Sequence, residues 1–123
     1  MTINSYRDLL VWQKAMDLVV GCYRLTEGFP KSETYGLSSQ LRRAAVSVPA
    51  NIAEGQGREA IKEYLHHLSI ANGSLMELET HLLIAGRLTY AKESDLTPLL
   101  SQASEVGKML NGLTKSLKAK LKT

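Results

Sequence analysis

The histidines and carboxylates of this 123-residue chain offer one spacing that could bind a metal. Glu63 and His66 form a Glu-x-x-His motif, which is the pair of ligands that di-iron helical bundles use. Such a site needs a second Glu-x-x-His motif and two further glutamates from other helices, and the sequence contains a single copy. We therefore expect no metal and no other cofactor. We expect His66, His67 and His81 to face solvent or a subunit contact.

The residues that could supply a nucleophile also lack the arrangement that catalysis needs. No serine lies in the Gly-x-Ser-x-Gly turn typical of hydrolases. The single cysteine, Cys22, lies in an apolar stripe at helical spacing, which favours a small buried hydrophobe over a reactive thiol. Gly55 and Gly57 follow a helical pattern with no strand before it, so they indicate a helix end and not a nucleotide-binding loop. The sequence predicts that the protein is not an enzyme.

Polar residues recur at helical spacing between positions 36 and 58 and form a polar stripe. At 100° per residue they share one side of a helix beside an apolar side, and a third side carries small uncharged residues that include Val46 and Ala50. A helix that is apolar on more than one side is usually buried on more than one side. We expect the stripe to form an internal hydrogen-bond network with Ser74 and Glu77 of the next helix. The stripe consists of Gln40, Arg43, Ser47, Asn51, Glu54 and Arg58.

Hydrophobic periodicity of 3.6 residues predicts four helices, at about residues 7–27, 34–56, 59–88 and 94–121. Because the connections are short, neighbouring helices should be antiparallel. The predicted fold is all-α, a single domain over residues 1–123 with an up-down-up-down antiparallel four-helix bundle. Pro49 lies inside the second helix, which we expect to continue with a kink. Gly73 lies on the incompletely polar far side of the third helix, where close approach of another helix would explain a glycine.

Positive charge is concentrated at the C-terminus. Residues 1–107 contain ten basic and twelve acidic side chains, whereas residues 108–123 contain five lysines and no acid. Lysines at a helix end can simply complement the helix dipole, or they can contact nucleic-acid phosphates, and a basic amphipathic helix can also bind calmodulin-like proteins or membrane surfaces. A ring of identical copies would join these charges into one basic rim. The candidate contacts are Arg42, Lys108, Lys115, Lys118, Lys120 and Lys122.

The N-terminus has no signal-peptide pattern, and no apolar run is long enough to cross a bilayer. We therefore expect a cytoplasmic protein with no membrane partner.

Several blocks of the sequence resemble one bacterial family. The blocks are Tyr6–Ala15, Gly36–Leu37 with Gln40, Arg42–Ala44 and Ser47, Asn51–Gly55 with Arg58, Leu68–Ala71, and Gly73–Ser74 with Glu77. They are similar to the small four-helix bundle proteins encoded in intervening sequences of large-subunit ribosomal RNA genes, which are sometimes labelled as a ribosomal protein. The resemblance covers nearly the whole chain.

The resemblance implies a four-helix bundle that assembles into a homopentameric, barrel-like ring, and it transfers no catalytic residues. A related accessory variability protein of diversity-generating retroelements is thought to bind nucleic acid and a reverse transcriptase. The prediction is therefore a non-enzymatic homo-oligomer, pentameric by resemblance, that binds RNA or DNA through a basic surface. The alternative is a purely structural assembly, or a scaffold for a protein partner, without nucleic-acid binding.

Overall fold

The computed structural model describes residues 5–122. Over this range the chain forms four α-helices and no strand. They are α1 (Leu10–Thr26), α2 (Leu37–Gln56), α3 (Ile61–Arg87) and α4 (Glu93–Leu121), and short 3-10 helices lie at Tyr6–Asp8 and Lys31–Glu33. The chain is therefore all-helical, as the periodicity predicted.

The first helix begins three residues later than predicted. The Ser5 hydroxyl accepts a hydrogen bond from the Arg7 N–H at 3.1 Å and caps the first 3-10 turn. Leu9 then adopts an extended conformation, with φ −75° and ψ 123°, and this separates the turn from α1. Ser5 therefore caps a separate turn, and α1 starts without a side-chain cap.

Glu33 caps the second helix, a role that the sequence pattern did not reveal. Its Oε1 accepts a hydrogen bond from the Leu37 N–H at 3.1 Å, and its Oε2 accepts one from the Tyr90 hydroxyl at 2.9 Å. Because Tyr90 follows α3, one carboxylate ties the loop before α2 to the turn before α4. Helix α2 thus starts at Leu37, three residues after the predicted position.

The four helices pack as a bundle around one apolar core. Helix α1 packs on α2 and α4, and α3 packs on α2 and α4. Residue numbers rise along α2 while they fall along α3 at the contacts Ser47–Ser74 and Asn51–His67, as expected for an antiparallel pair. The largest fully buried side chains are Leu18, Cys22, Leu41, Val48, Ile52, Leu68, Leu75, Leu78, Leu82, Val106 and Leu110.

Helix α2 passes through Pro49 without interruption. The kink at Pro49, the complete up-down-up-down order and the single-domain boundary stay predictions. None of the helices in the described part of the chain has the length and apolar character needed to cross a bilayer.

Gly55 lies tightly against α3, whereas Gly73 lies in open surroundings. A Cβ on Gly55 would lie 2.9 Å from the His67 Cβ and 3.0 Å from the Tyr64 Cδ1, whereas a Cβ on Gly73 would meet nothing within 4 Å. Gly55 is therefore a packing residue inside α2, and Gly57 takes the C-cap position that was predicted for this pair of glycines. Among residues 5–122 no other helix comes within 4 Å of a Cβ at Gly73.

Candidate functional site

The middle of the polar stripe meets α3 in a chain of hydrogen bonds. The Ser47 and Ser74 hydroxyls lie 2.8 Å apart. The Asn51 Nδ2 donates to the Ser47 Oγ at 3.1 Å and to the Ser47 carbonyl at 2.9 Å, and the Asn51 Oδ1 lies 3.1 Å from the His67 Nδ1. We call Ser47, Asn51, His67 and Ser74 the polar seam. The seam links the facing sides of α2 and α3 at mid-height.

His67 belongs to the seam although it was expected to face solvent or a subunit contact. Only 14% of its side chain is exposed. Because the Asn51 Nδ2 donates to Ser47, its Oδ1 faces His67 and accepts the Nδ1–H. The spacing of seven residues between His67 and Ser74 places both on one side of α3 and is the signal that could have identified His67.

The C-terminal end of the stripe forms an ion pair at the surface. The Arg58 Nη2 donates to the Glu54 Oε1 at 3.1 Å, and the Glu54 Oε2 lies 3.9 Å from the His67 Nδ1. About half of each of the Arg58 and Glu54 side chains is exposed. Exposed ion pairs at this spacing contribute little to stability, so breaking this pair to bind a ligand would cost little free energy.

The other end of the stripe opens into a groove between α2 and α3. Its lining includes Gln40, Arg43, Ser47, Ser74 and Glu77, and its volume is about 340 Å³. Gln40, Arg43 and Glu77 are exposed in the single chain. Of the two predicted counterparts of the stripe, Ser74 bonds directly to it, whereas Glu77 only shares the groove.

His81 is buried beside this groove, so of its two expected placements, facing solvent or a subunit contact, the first is wrong. It is 8% exposed, and its Nε2 lies 3.4 Å from the Glu77 Oε1. Its Nδ1 is buried and has no hydrogen-bond partner among the described residues. The Glu77 carboxylate thus contacts His81 of its own helix.

The seam has the geometry of a structural network and not of a catalytic site. The ring of His67 reaches Ser47 only through the amide of Asn51, and a neutral amide does not accept the proton that a serine nucleophile must lose. Over residues 5–122 no group of three His, Cys, Asp or Glu side chains is placed to hold a metal ion. Glu63 and His66 are both exposed on α3.

The C-terminal lysines lie on the surface of α4. Lys108, Lys115, Lys118, Lys120 and Lys122 are all exposed. Lys118 borders a shallow groove between α3 and α4 whose lining also includes Leu65 and Asn111. This shared groove places the basic end of α4 beside the first turns of α3.

The Arg42 side chain packs against α1, whereas the C-terminal lysines are exposed. Its Nε donates to the Thr26 Oγ1 at 2.7 Å, and its guanidinium carbon lies 4.6 Å from the centre of the Tyr23 ring. The side chain is half-buried between α1 and α2. Arg42 thus has a packing role that its sequence position did not show.

Exposed apolar and small residues of α2 and α3 lie beside the groove. Val46 on α2 is 42% exposed, and Ile70 and Ile84 on α3 are each 39% exposed. Ala50 and Gly73 are also exposed. We call these five residues the outer face. It includes the third side of α2 and the far side of α3, whose apolar character the sequence indicated.

The comparisons with known proteins agree with this architecture. The family model described as "23S rRNA-intervening sequence protein" matches residues 7–112. The chain belongs to this family. No curated protein matches the chain.

A solved structure shares the fold. It is a crystal structure of a protein with unknown function from the S23 ribosomal protein family of Bacteroides thetaiotaomicron, with a TM-score of 0.78 and 22% sequence identity. The alignment covers 86% of this chain and 99% of that chain. At this identity the likeness describes the fold alone.

The extent of the family match separates the two sets of site residues. The polar seam, the groove and the outer face all lie within residues 7–112, and so does Lys108. The last four lysines, Lys115, Lys118, Lys120 and Lys122, lie beyond the matched range. The seam and the outer face therefore lie within the segment that the family model matches, whereas four of the five C-terminal lysines lie outside it.

Proposed function

We propose that this intervening-sequence-family protein is a non-enzymatic, cytoplasmic homo-oligomer that binds nucleic acid through the basic end of α4. The observation that supports the oligomer best is the outer face. Val46, Ile70 and Ile84 expose apolar surface beside the exposed charges of Arg43 and Glu77. Apolar side chains exposed beside charged ones are typical of a protein interface.

Symmetry explains how one exposed face can serve every copy. A ring uses a heterologous contact, in which the outer face of one subunit covers a different surface of the next. The family resemblance favours five copies. Five chains of 13.6 kDa would give a particle of about 68 kDa.

Nucleic-acid binding is supported by the placement of charge. The five lysines of α4 are exposed and have no acidic residue among them in the sequence. Lysines that contact phosphates release counterions, so binding should weaken steeply as salt rises. Repetition of the same basic end around a ring would strengthen the field several-fold.

The first experiment measures assembly. We expect light scattering on the purified protein to give a mass of several chains and Ile70→Lys to lower that mass, because a charge would be buried in the interface. Leu83→Lys is the matched control, since Leu83 is 54% exposed on a different side of α3. A monomeric wild type would contradict the oligomer, and equal loss of mass in both variants would contradict the outer face as its interface.

The second experiment measures binding of a single-stranded RNA by fluorescence anisotropy over a range of salt. Glutamine at Lys115, Lys118, Lys120 and Lys122 should weaken binding and reduce the salt slope by about 0.7 for each lost phosphate contact. The control variant removes the same charge at the other end of the bundle, with glutamine at Arg24, Lys31, Arg87 and Lys92. An oligomer that binds no RNA or DNA at low salt would exclude the nucleic-acid role and favour the structural scaffold.

A further inference from the structure

A second cluster of basic side chains lies where α2 turns into α3, apart from the lysines of α4. Arg58, Lys62, His66 and His67 line a surface depression of about 380 Å³, and Glu63 is the single acid in its lining. The turn between the helices is only four residues long, so the end of α2 is held beside the first turns of α3. The depression is therefore lined by residues of the turn and of α3, held close to the end of α2.

The donors of this depression are available to a ligand. Lys62 and His66 are exposed and are four residues apart on one side of α3. Arg58 uses one terminal nitrogen for Glu54 at 3.1 Å in an exposed pair, and its guanidinium has four further N–H donors. His67 uses its Nδ1 for Asn51, which leaves its Nε2, a donor when the ring is protonated.

The chemistry of this set favours a phosphate group. Arginine matches the oxygens of a phosphate with two parallel hydrogen bonds, and a lysine beside it adds a mobile positive charge. Two imidazole rings, packed edge to face with centroids 5.8 Å apart, form the wall beside them. The lining contains two fixed cations and the carboxylate of Glu63, and the Glu54 carboxylate beside it pairs with Arg58, so a phosphate must compete with Glu54 for the guanidinium.

We propose that the turn between α2 and α3 binds a phosphate group, through Arg58, Lys62 and His66 with His67 as the supporting wall. The phosphate has two possible sources, a nucleic-acid backbone or a small phosphorylated molecule. The backbone source rests on the proposed function, because Lys118 and Leu65 line one groove and Leu65 lies three residues after Lys62. One strand could then contact α4 and the turn together.

The test follows the imidazole signals of His66 and His67 by NMR in the full-length protein. Inorganic phosphate is titrated at constant ionic strength, with sodium chloride in its place as the blank. We expect saturable shifts of both rings. Lys62→Gln should weaken phosphate binding about tenfold, because it removes one charge-assisted contact. Lys92→Gln, an exposed lysine at the opposite end of the bundle, should bind as the wild type does.

A single-stranded RNA titrated into the same samples distinguishes the sources. If RNA causes the same shifts and competes with phosphate, the site serves the nucleic-acid backbone. If phosphate binds and RNA does not, the site stands with a small phosphorylated ligand and the proposed nucleic-acid function fails.

Two results would overturn the site. One is the absence of saturable phosphate shifts while RNA binds equally to the wild type and Lys62→Gln, which would leave the proposed function intact. The other is an equal response in the Lys62→Gln and Lys92→Gln variants, which would mean a general effect of charge. Lys62 is exposed, so its variant should fold, and circular dichroism checks this.

Discussion

At the scale of single residues, Cys22 shows how burial sets the chemistry of a side chain. It has no exposed surface in the core face of α1, and burial raises the pKa of its thiol to about 12. A thiol is a nucleophile only as the thiolate, and at pH 8 roughly one molecule in ten thousand would be ionised at that pKa. The predicted role of a small buried hydrophobe is confirmed.

We expect Cys22 in the native protein to resist an aromatic disulfide reagent at pH 8. The same reagent should titrate one thiol per chain within minutes in denaturant, because unfolding exposes the group and returns its pKa to the ordinary range. The rate at which the reagent develops colour measures the reaction of the thiol in the native and in the denatured protein. Rapid native reaction would contradict the burial of Cys22.

Glu33 makes the start of α2 sensitive to acid. The hydrogen bond from the Leu37 N–H, and then that from the Tyr90 hydroxyl, lower the pKa of the Glu33 carboxyl below its ordinary value. A lowered folded-state pKa contributes stability above the unfolded pKa, and the contribution is lost as pH falls through the folded pKa. The hydrogen bond between Glu33 and Tyr90 also raises the pKa of the Tyr90 hydroxyl.

The Glu33→Gln variant should therefore have a lower Tm than the wild type at pH 7. The difference should shrink as pH falls below about 4, because the wild-type carboxyl is then protonated as well. Thermal melts followed by circular dichroism across this range measure the effect. Glu59→Gln, a change of an exposed glutamate outside this contact, is the control and should show no such convergence.

At the scale of helices, α2 and α3 are joined by close backbone approach and by the polar seam. Gly55 permits the close approach, because any Cβ there would collide with Tyr64 and His67. The seam then satisfies the polar groups that this approach buries, as buried hydrogen-bonding groups require. Packing and polar satisfaction thus act at neighbouring positions on the same pair of helices.

Gly55→Ala should lower the free energy of unfolding by about 1–3 kcal/mol, because the added methyl group overpacks a tight contact. Gly112→Ala is the control. A Cβ there meets nothing within 4 Å, so alanine should stabilise α4 by roughly 0.5–1 kcal/mol. Urea denaturation measures the free energy of unfolding of both variants. An unchanged value in Gly55→Ala would show that α2 and α3 can adjust to the added methyl group at no cost.

Ser47 and Ser74 should be energetically coupled. A double-mutant cycle with Ser47→Ala and Ser74→Ala should give an interaction energy of about 1 kcal/mol, the usual net value of a hydrogen bond. Ser47→Ala combined with Ser104→Ala is the reference cycle, since Ser104 is exposed on α4, and it should be additive. An interaction energy near zero between Ser47 and Ser74 would show that this contact of the seam does not stabilise the fold.

At the scale of the whole molecule, the bundle leaves apolar surface that its own four helices do not cover. Val46, Ile70 and Ile84 form the centre of the outer face, and the seam beside them is already satisfied within the chain. The polar stripe is thus divided between two roles. Its middle joins α2 to α3, and its ends remain exposed for other copies or ligands.

If other copies cover the outer face, the Tm should rise with protein concentration. Association of the folded state shifts the unfolding equilibrium by mass action, so a hundredfold increase in concentration should raise the Tm measurably. Calorimetry at several concentrations provides the measurement, and Ile70→Lys should abolish the dependence. A Tm independent of concentration, with a monomeric mass, would contradict the assembly.

The sequence by itself determined the helical fold and the main groups of residues. Periodicity places apolar side chains on one side of each helix, so the four helices, the buried Cys22 and the polar stripe follow from spacing alone. Helix starts were less accurate, because Glu33 caps α2 with help from Tyr90, which is 57 residues away in the sequence. Local patterns contain no information about such a partner.

Only the tertiary structure decided which polar residues meet. Ser47, Asn51 and Ser74 were predicted in the stripe or opposite it, but His67 joins them through the register of α2 against α3, next to the close contact at Gly55. Arg42 turns inward because Tyr23 and Thr26 lie beside it on α1. The physical reason is general: spacing along a helix fixes the side on which a residue lies, whereas packing between helices fixes the height at which it finds a partner.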